Sequence, residues 1–220
     1  MNNKFFFTLL GALCLIILGT KTQAQDYYYS SETRSVKPLS MGITFSPNIG
    51  WLRYGDEKDY SGKTGVGFSY GLLADIGFSR NYYFSTGLNI TALNTESNYP
   101  KDENNVRSHH KQRIQYIEVP VAVKLKSAEN FNRVFYGKFG LTVGAKISGR
   151  EKINGSENRT TIPNANVLRM GLQIGGGAEW NLDYNLRLLT GLTFNNGFTR
   201  TMKAGEPKNS YVSLDFGFLF

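Results

Sequence analysis

The sequence predicts an all-β chain, an eight-stranded antiparallel up-and-down transmembrane β-barrel, on three observations. Eight stretches alternate apolar with small or polar residues, the period of a strand whose two sides differ chemically. The connections between them alternate long and short, as consecutive connections of an up-and-down barrel at opposite ends would. On one side of the stretches Gly, Ser, Thr and Asn collect, which suits the tight bore of a barrel turned greasy side out. With a negative mean hydropathy and 24 glycines, the composition is that of a barrel with a polar interior rather than of a helical membrane protein.

Before the first strand lie two segments. Lys4, the apolar run Phe5 to Leu18 and the small-residue site Thr22-Gln23-Ala24 read as a secretory signal peptide spanning 1–24, cut after Ala24. The run falls short of the about 20 residues a spanning helix needs. Cys14 follows Leu13 within it and reads as a small hydrophobe of the leader, so the mature chain has no cysteine and no disulfide. Residues 25–40, with Tyr27-Tyr28-Tyr29 and Pro38, show no period and are expected to form a flexible periplasmic leader. The barrel domain is expected over 41–220.

The first strand is expected near Met41 to Leu52, with Met41, Ile43, Phe45, Ile49 and Trp51 outward and Gly42, Thr44, Ser46, Asn48 and Gly50 inward. The second runs near Val66 to Phe78 and turns at Ser79-Arg80-Asn81 into the third, about Tyr82 to Asn94. Thr95 to Gln112 is polar and charged and reads as a loop. The fourth strand covers Arg113 to Lys126, with Ile117, Val119, Val121, Val123 and Leu125 outward against Glu118, Ala122 and Lys124 inward. After a short link comes the fifth, Val134 to Ser148, then a second polar loop, Gly149 to Asn166. The sixth spans Val167 to Leu182 and the seventh Leu186 to Phe198, joined by the turn Asp183-Tyr184-Asn185. Thr199 to Asn209 is a further loop. In the eighth strand Val212, Leu214, Phe216, Phe218 and the terminal Phe220 share one face, while Ser213, Asp215 and Gly217 share the other. If Phe45, Val121, Leu172 and Phe216 met at the centre while Asn48, Lys124 and Gln173 met solvent, the membrane reading would be lost.

The long connections are expected outside the cell and the short ones in the periplasm, with both chain ends on the short-turn side. Trp51, Phe194 and Phe198 then fall near the outer interface, and Phe78, Tyr82, Phe135, Trp180 and Phe220 near the periplasmic one. This is an outer-membrane location. The final strand with Phe220 is expected to be the signal read by the barrel assembly machinery.

The segment Tyr116-Ile117-Glu118-Val119-Pro120, followed by Val121-Ala122-Val123-Lys124, resembles the signature strand of the PorT-like outer-membrane β-barrels of Bacteroidetes. The resemblance implies an eight-stranded outer-membrane barrel, with a link to a secretion system through the founding member.

An eight-stranded bore is filled by side chains. Inward positions carry Lys124, Lys138, Lys146, Arg169 and Arg187 together with Asp75, Glu118, Glu179 and Asp215. Charges out of water must be paired, so an interior charge network that plugs the lumen is expected. Pro120 removes one ladder hydrogen bond, and a bulge there is expected to position Glu118.

Chemistry-bearing motifs are missing from the sequence. The two histidines, His109 and His110, are adjacent, and on an extended backbone they point opposite ways. No Ser-His-Asp spacing, HExxH or phosphate-binding glycine loop occurs, and Gly175-Gly176-Gly177 lies within a strand, where it permits curvature or close packing. The expectation is a structural or interaction barrel, with no catalytic, cofactor-binding or metal residues. The alternatives are an outer-membrane enzyme acting on lipid or lipid A, for which an acidic residue beside His109 or His110 at the rim would speak, and a soluble lipocalin-type barrel. The net charge of +8 falls to +6 without Lys4 and Lys21, and no basic stripe interleaved with aromatics points to nucleic acid. Expected partners are outer-membrane lipid and lipopolysaccharide, the assembly machinery, and an envelope protein. Lipopolysaccharide is a natural neighbour for the loop cations Lys101, Arg107, Lys111, Arg150, Lys152, Arg159, Arg200 and Lys203, for which a solvated loop is the plainer reading.

Overall fold

Period-two alternation becomes strand pairing all the way round the molecule. The computed structural model describes residues 39–54, 61–101, 107–153, 160–161, 166–183, 185–201 and 206–220. The expected signal peptide and the leader as far as residue 38 lie outside the described residues. Eight long strands form the wall: β1 (Leu39–Arg53), β3 (Gly65–Ser79), β4 (Tyr82–Lys101), β5 (Arg107–Lys126), β6 (Arg133–Ile153), β8 (Leu168–Asn181), β9 (Arg187–Arg200) and β10 (Lys208–Leu219). Two short strands, β2 (Ser61–Lys63) and β7 (Thr160–Thr161), add to β4 and β6. Every pairing is antiparallel, and the order β4-β3-β1-β10-β9-β8-β6-β5 closes on itself through β4 with β5. Closure leaves the wall no free edge, the condition for crossing a bilayer with strands.

The two faces sort as the alternation demands. Phe45 (53% exposed), Val121 (42%), Leu172 (36%) and Phe216 (45%) look outward, whereas Asn48 (2%), Lys124 (1%) and Gln173 (6%) are enclosed. Trp51 stacks on Phe194 toward one end of the wall and Phe78 meets Tyr82 at the other, with ring centroids 6.2 and 6.1 Å apart. The β3–β4, β5–β6 and β8–β9 links are short and share one end, called here the turn end.

Three expectations are corrected. The barrel starts earlier than expected, since Leu39 and Ser40 of the supposed leader already belong to β1. The polar segments read as loops are partly strand: β4 continues to Lys101, β5 begins at Arg107 and β6 runs to Ile153. Beyond a membrane an outward face need not be greasy, so the apolar alternation stops while the backbone ladder goes on. These strands have 20, 20 and 21 residues against 12 to 15 for the other five. At about 3.3 Å per residue, five extra residues carry the β4–β5–β6 sheet roughly 17 Å further along the strands. Finally, Pro120 makes no bulge. Its register is unshifted against both β4 and β6, and only the pairs of Pro120 and Val119 with β4 drop out, as a residue without an N–H requires. The irregularity on β6 falls instead at Gln115/Tyr116, where Ile147 is the extra residue.

Gly175-Gly176-Gly177 sits in β8, with Gly177 paired to Gly191 of β9. A Cβ on Gly191 would strike the hydroxyl of Tyr136, so the bare backbone there makes room for an aromatic ring inside the bore.

Candidate functional site

The enclosed side chains form levels along the bore. At the turn end, β3 supplies Asp75, β5 Lys124 and Lys126, β8 Glu179 and β9 Arg187. Lys124 Nζ lies 2.6 Å from Asp75 Oδ2 and 2.7 Å from Glu179 Oε1. Lys126 Nζ lies 2.9 Å from Glu179 and 3.5 Å from Asp75, and Arg187 reaches Glu179 at 2.6 Å. Ser85 donates to Asp75 at 2.7 Å, and Arg187 donates to Ser40 at 2.8 Å. The two ammonium groups also face aromatic rings, Lys124 over Tyr136 at 4.4 Å and Lys126 over Tyr83 at 4.2 Å. Asp75 and Glu179 are both 0% exposed and Lys124 is 1% exposed, so the centre of this group is enclosed, while the Arg187 side chain, 18% exposed, reaches it from the turn-end opening.

Midway, Lys138 of β6 holds Asp215 of β10 at 3.1 Å, with Ser213 donating at 2.9 Å and Thr193 donating as well. A polar chamber of about 70 Å³ lies here, lined in part by Ser46, Asn89, Tyr136, Gln173 and Asp215. Toward the other end, Arg169 of β8 donates to Glu118 of β5 at 2.6 Å and to Asn195 at 2.7 Å. Thr91 and Tyr211 donate to the second carboxylate oxygen of Glu118, at 2.7 and 3.2 Å. The Arg169 guanidinium lies between the rings of Tyr211 (5.2 Å) and Tyr116 (5.8 Å). Above this level Leu52, Leu93 and Ile114, all buried, close an apolar cluster with Tyr116 and Tyr211. Polar levels and an apolar layer together occupy the bore, apart from the chamber beside Asp215.

Of the nine charged residues expected inside, eight therefore meet in three groups: Asp75 with Lys124, Glu179 and Arg187; Lys138 with Asp215; and Glu118 with Arg169. Lys146, the ninth, is half-buried opposite Tyr116 in the register of β5 and β6. Lys126 was not anticipated, although it lies two residues beyond Lys124 on the same face and parity alone would have placed it. The inward tyrosines 116, 136 and 211 were missed for another reason. An aromatic ring inside a narrow barrel contradicts the small-residue rule; for Tyr136 the room comes from Gly191 facing it, and Tyr116 and Tyr211 pack in the apolar cluster with Leu52, Leu93 and Ile114.

One contact at the far end was visible only in three dimensions. His110 Nδ1 lies 3.2 Å from Glu151 Oε2 across β5 and β6, both side chains about nine-tenths enclosed. Ser97 of β4 stands opposite His110 in the ladder and is 0% exposed; its Oγ has no hydrogen-bond partner among the described residues. The side chain of His109 lies outside the described residues. Among those described, no group of three or more His, Cys, Asp or Glu side chains could hold a metal. Phe220 follows β10, its backbone exchanging hydrogen bonds with Met41 at 2.8 and 3.2 Å while its ring is 61% exposed on the outer face.

The family described as outer membrane protein beta-barrel domain matches residues 23–203. Among solved structures the chain is similar to Neisserial surface protein A, at 12% identity, over 81% of this chain and 95% of that one, with a TM-score of 0.50. It is also similar to Ail, the attachment invasion locus protein of Yersinia pestis (14% identity, 82% and 98% covered, TM-score 0.40). A third is the outer membrane protease OmpT of Escherichia coli (9% identity, 87% and 99% covered, TM-score 0.45). At 12% identity the likeness to Neisserial surface protein A is one of fold alone. No curated protein sequence matches. A closed wall of eight antiparallel strands, greasy outside and polar within, agrees with the family match, and the chain belongs to the outer membrane protein beta-barrel domain family, proteins of the outer membrane.

Proposed function

We propose that this protein is a plugged outer-membrane barrel of the PorT-like kind, from a member of the Bacteroidetes, that works through contacts with other envelope proteins rather than by passing solutes or by catalysis. Its signal peptide is removed after Ala24. The assembly machinery reads the last strand and Phe220, and the long hairpins face outward among lipopolysaccharide. The observation that carries this reading is the stack of paired charges in the bore, from Asp75–Lys124–Glu179 through Lys138–Asp215 to Glu118–Arg169. A solute path would have to break these pairs, and a buried ion left unpaired costs several kcal/mol. The PorT-like motif Tyr116 to Lys124 lies on β5, whose inward residues Glu118 and Lys124 belong to two of these groups. The test has two parts. Reconstituted into planar bilayers, the protein should give no resolvable conductance steps, and crosslinking in native membranes should capture a reproducible protein partner. Steady conductance, or repeated failure to capture any partner, would refute the proposal.

A second reading, a hydrolase of lipid or lipid A, is favoured by the Ser97, His110 and Glu151 arrangement, a hydroxyl, an imidazole and a carboxylate on three adjacent strands. Against it stands the full enclosure of Ser97, which leaves no described approach for an ester. A serine-directed fluorophosphonate separates the two. The first reading expects no labelling, and labelling abolished by Ser97→Ala would establish the second.

A further inference from the structure

We infer that the outward face of β4–β5–β6, just beyond the apolar band, binds the phosphate groups of an outer-leaflet glycolipid through Lys111, Arg113, Arg150 and Lys152. The inference deepens the reading above and rests on its orientation, with the long hairpins toward the cell exterior.

The register sets out the site in rows. Asn94, Arg113 and Arg150 stand side by side across the three strands, and Glu96, Lys111 and Lys152 form the next row out. The alternate residues Gln112, Ile114 and Glu151 are enclosed, so the four cations point away from the bore. Below them come Gln115 with Ser148, then Ile117 with Ala145, then Val119 with Val143 on the exposed apolar wall. Cation rows thus top a column of side chains that continues down into the greasy surface.

Two features mark these rows as a site rather than a solvated edge. Arg113 is directly opposite Arg150, and Lys111 directly opposite Lys152. Like charges in facing positions of an antiparallel pair destabilise it, and ordinary sheets avoid them. Here there are two such pairs in succession, and Glu96, 3.0 Å from Lys111, is the only carboxylate within ion-pair distance of any of the four cations among the described residues. The surface is also concave. One hollow of about 190 Å³ is lined by Arg113, Gln115, Ser148 and Arg150. A second of about 420 Å³ adjoins it, lined by Lys111, Arg113, Arg150 and Lys152 together with two carboxylate residues, Glu96 and Glu151, so cations outnumber carboxylates there by four to two. Two guanidinium groups flanking a hollow can each offer a pair of parallel N–H donors to phosphate oxygens, and the two ammonium groups above add point charges. An occupant must present phosphate to these rows and acyl chains to Ile117, Val119 and Val143 beneath. A phosphorylated glycolipid of the outer leaflet does both; a soluble phosphate does only the first.

The experiment uses the intact barrel in phosphatidylcholine nanodiscs, titrated with diphosphorylated lipid A, with the same lipid after phosphatase treatment, and with sodium phosphate as competitor. Tight binding is expected only for the phosphorylated lipid, with millimolar phosphate competing weakly. At about fivefold per cation near an anionic headgroup, R113Q/R150Q should bind roughly 25-fold more weakly. R80Q/K208Q, which removes two exposed charges elsewhere, should bind as the parent does. Heat-modifiable gel mobility establishes that each variant is folded. Thr160→Cys should be labelled by an impermeant maleimide on intact cells and Arg80→Cys should not. Correct labelling with equal binding of both lipid forms, with unchanged binding by R113Q/R150Q, or with full displacement by phosphate overturns the lipid site alone. Reversed labelling overturns the orientation and the site with it.

Discussion

Replacing Glu179 by glutamine tests whether the bore is held by charge or merely filled by volume. Glu179 is the hub of the turn-end group, in ion-pair contact with Lys124, Lys126 and Arg187 at 2.6 to 2.9 Å and 0% exposed. Glutamine has nearly the same shape, so no cavity opens and the change is one of charge. Asp75 is then the one carboxylate left beside three cations, and its own contact with Lys126 is the long one, 3.5 Å. Removing one partner of a buried pair costs about 3–5 kcal/mol, because the remaining charge stays enclosed. Urea unfolding of the folded barrel, followed by the fluorescence of Trp51 and Trp180 and by gel mobility, is the assay. With a slope near 2 kcal/mol/M the midpoint should fall by roughly 1.5–2.5 M. The control is Glu96→Gln, which breaks an exposed pair with Lys111 and should cost no more than about 1 kcal/mol after solvent screening. Adding Lys126→Met to Glu179→Gln removes one surplus cation and should recover part of the loss. Equal midpoints for the two single variants, or no recovery in the double, would refute the view that the hub is electrostatic.

Other substitutions probe the wall and its assembly. Phe45→Lys, at the middle of β1 on the outer face, should destabilise the barrel in vesicles by about 2–4 kcal/mol, measured by the same unfolding curve. Little change there would contradict contact with lipid. Gly191→Ala should hinder folding, because its Cβ would meet both the Tyr136 hydroxyl and, at 2.9 Å, the backbone carbonyl of Gly176. Tyr136→Ala in the same chain removes the first clash and should restore part of the folded gel band, and no recovery at all would mean that the Tyr136 contact does not set the need for glycine. Phe220→Asp should lower the amount of assembled protein in outer-membrane fractions, since its exposed ring ends the last strand. Unchanged levels would remove Phe220 from the assembly signal.

A two-residue period is a local property, and it was enough to assign the faces: Phe45, Val121 and Phe216 outward, Asn48, Lys124 and Gln173 inward. The number of alternating stretches likewise set the strand count, and the alternating connection lengths set the shared turn end. Which charges would be enclosed was also legible, because parity puts Asp75, Glu118, Lys124 and Glu179 on one side whatever their partners. Parity says nothing of height along the barrel, however, and stagger between strands decides which enclosed charges meet. Glu118 therefore joins Arg169, and Asp215 joins Lys138, for reasons of register that no single strand contains. The loop segments misled because polar strands beyond a membrane lose their apolar alternation but keep their ladder. Only pairing across β4, β5 and β6 could bring Ser97, His110 and Glu151 onto one face and set Arg113 against Arg150 on the other.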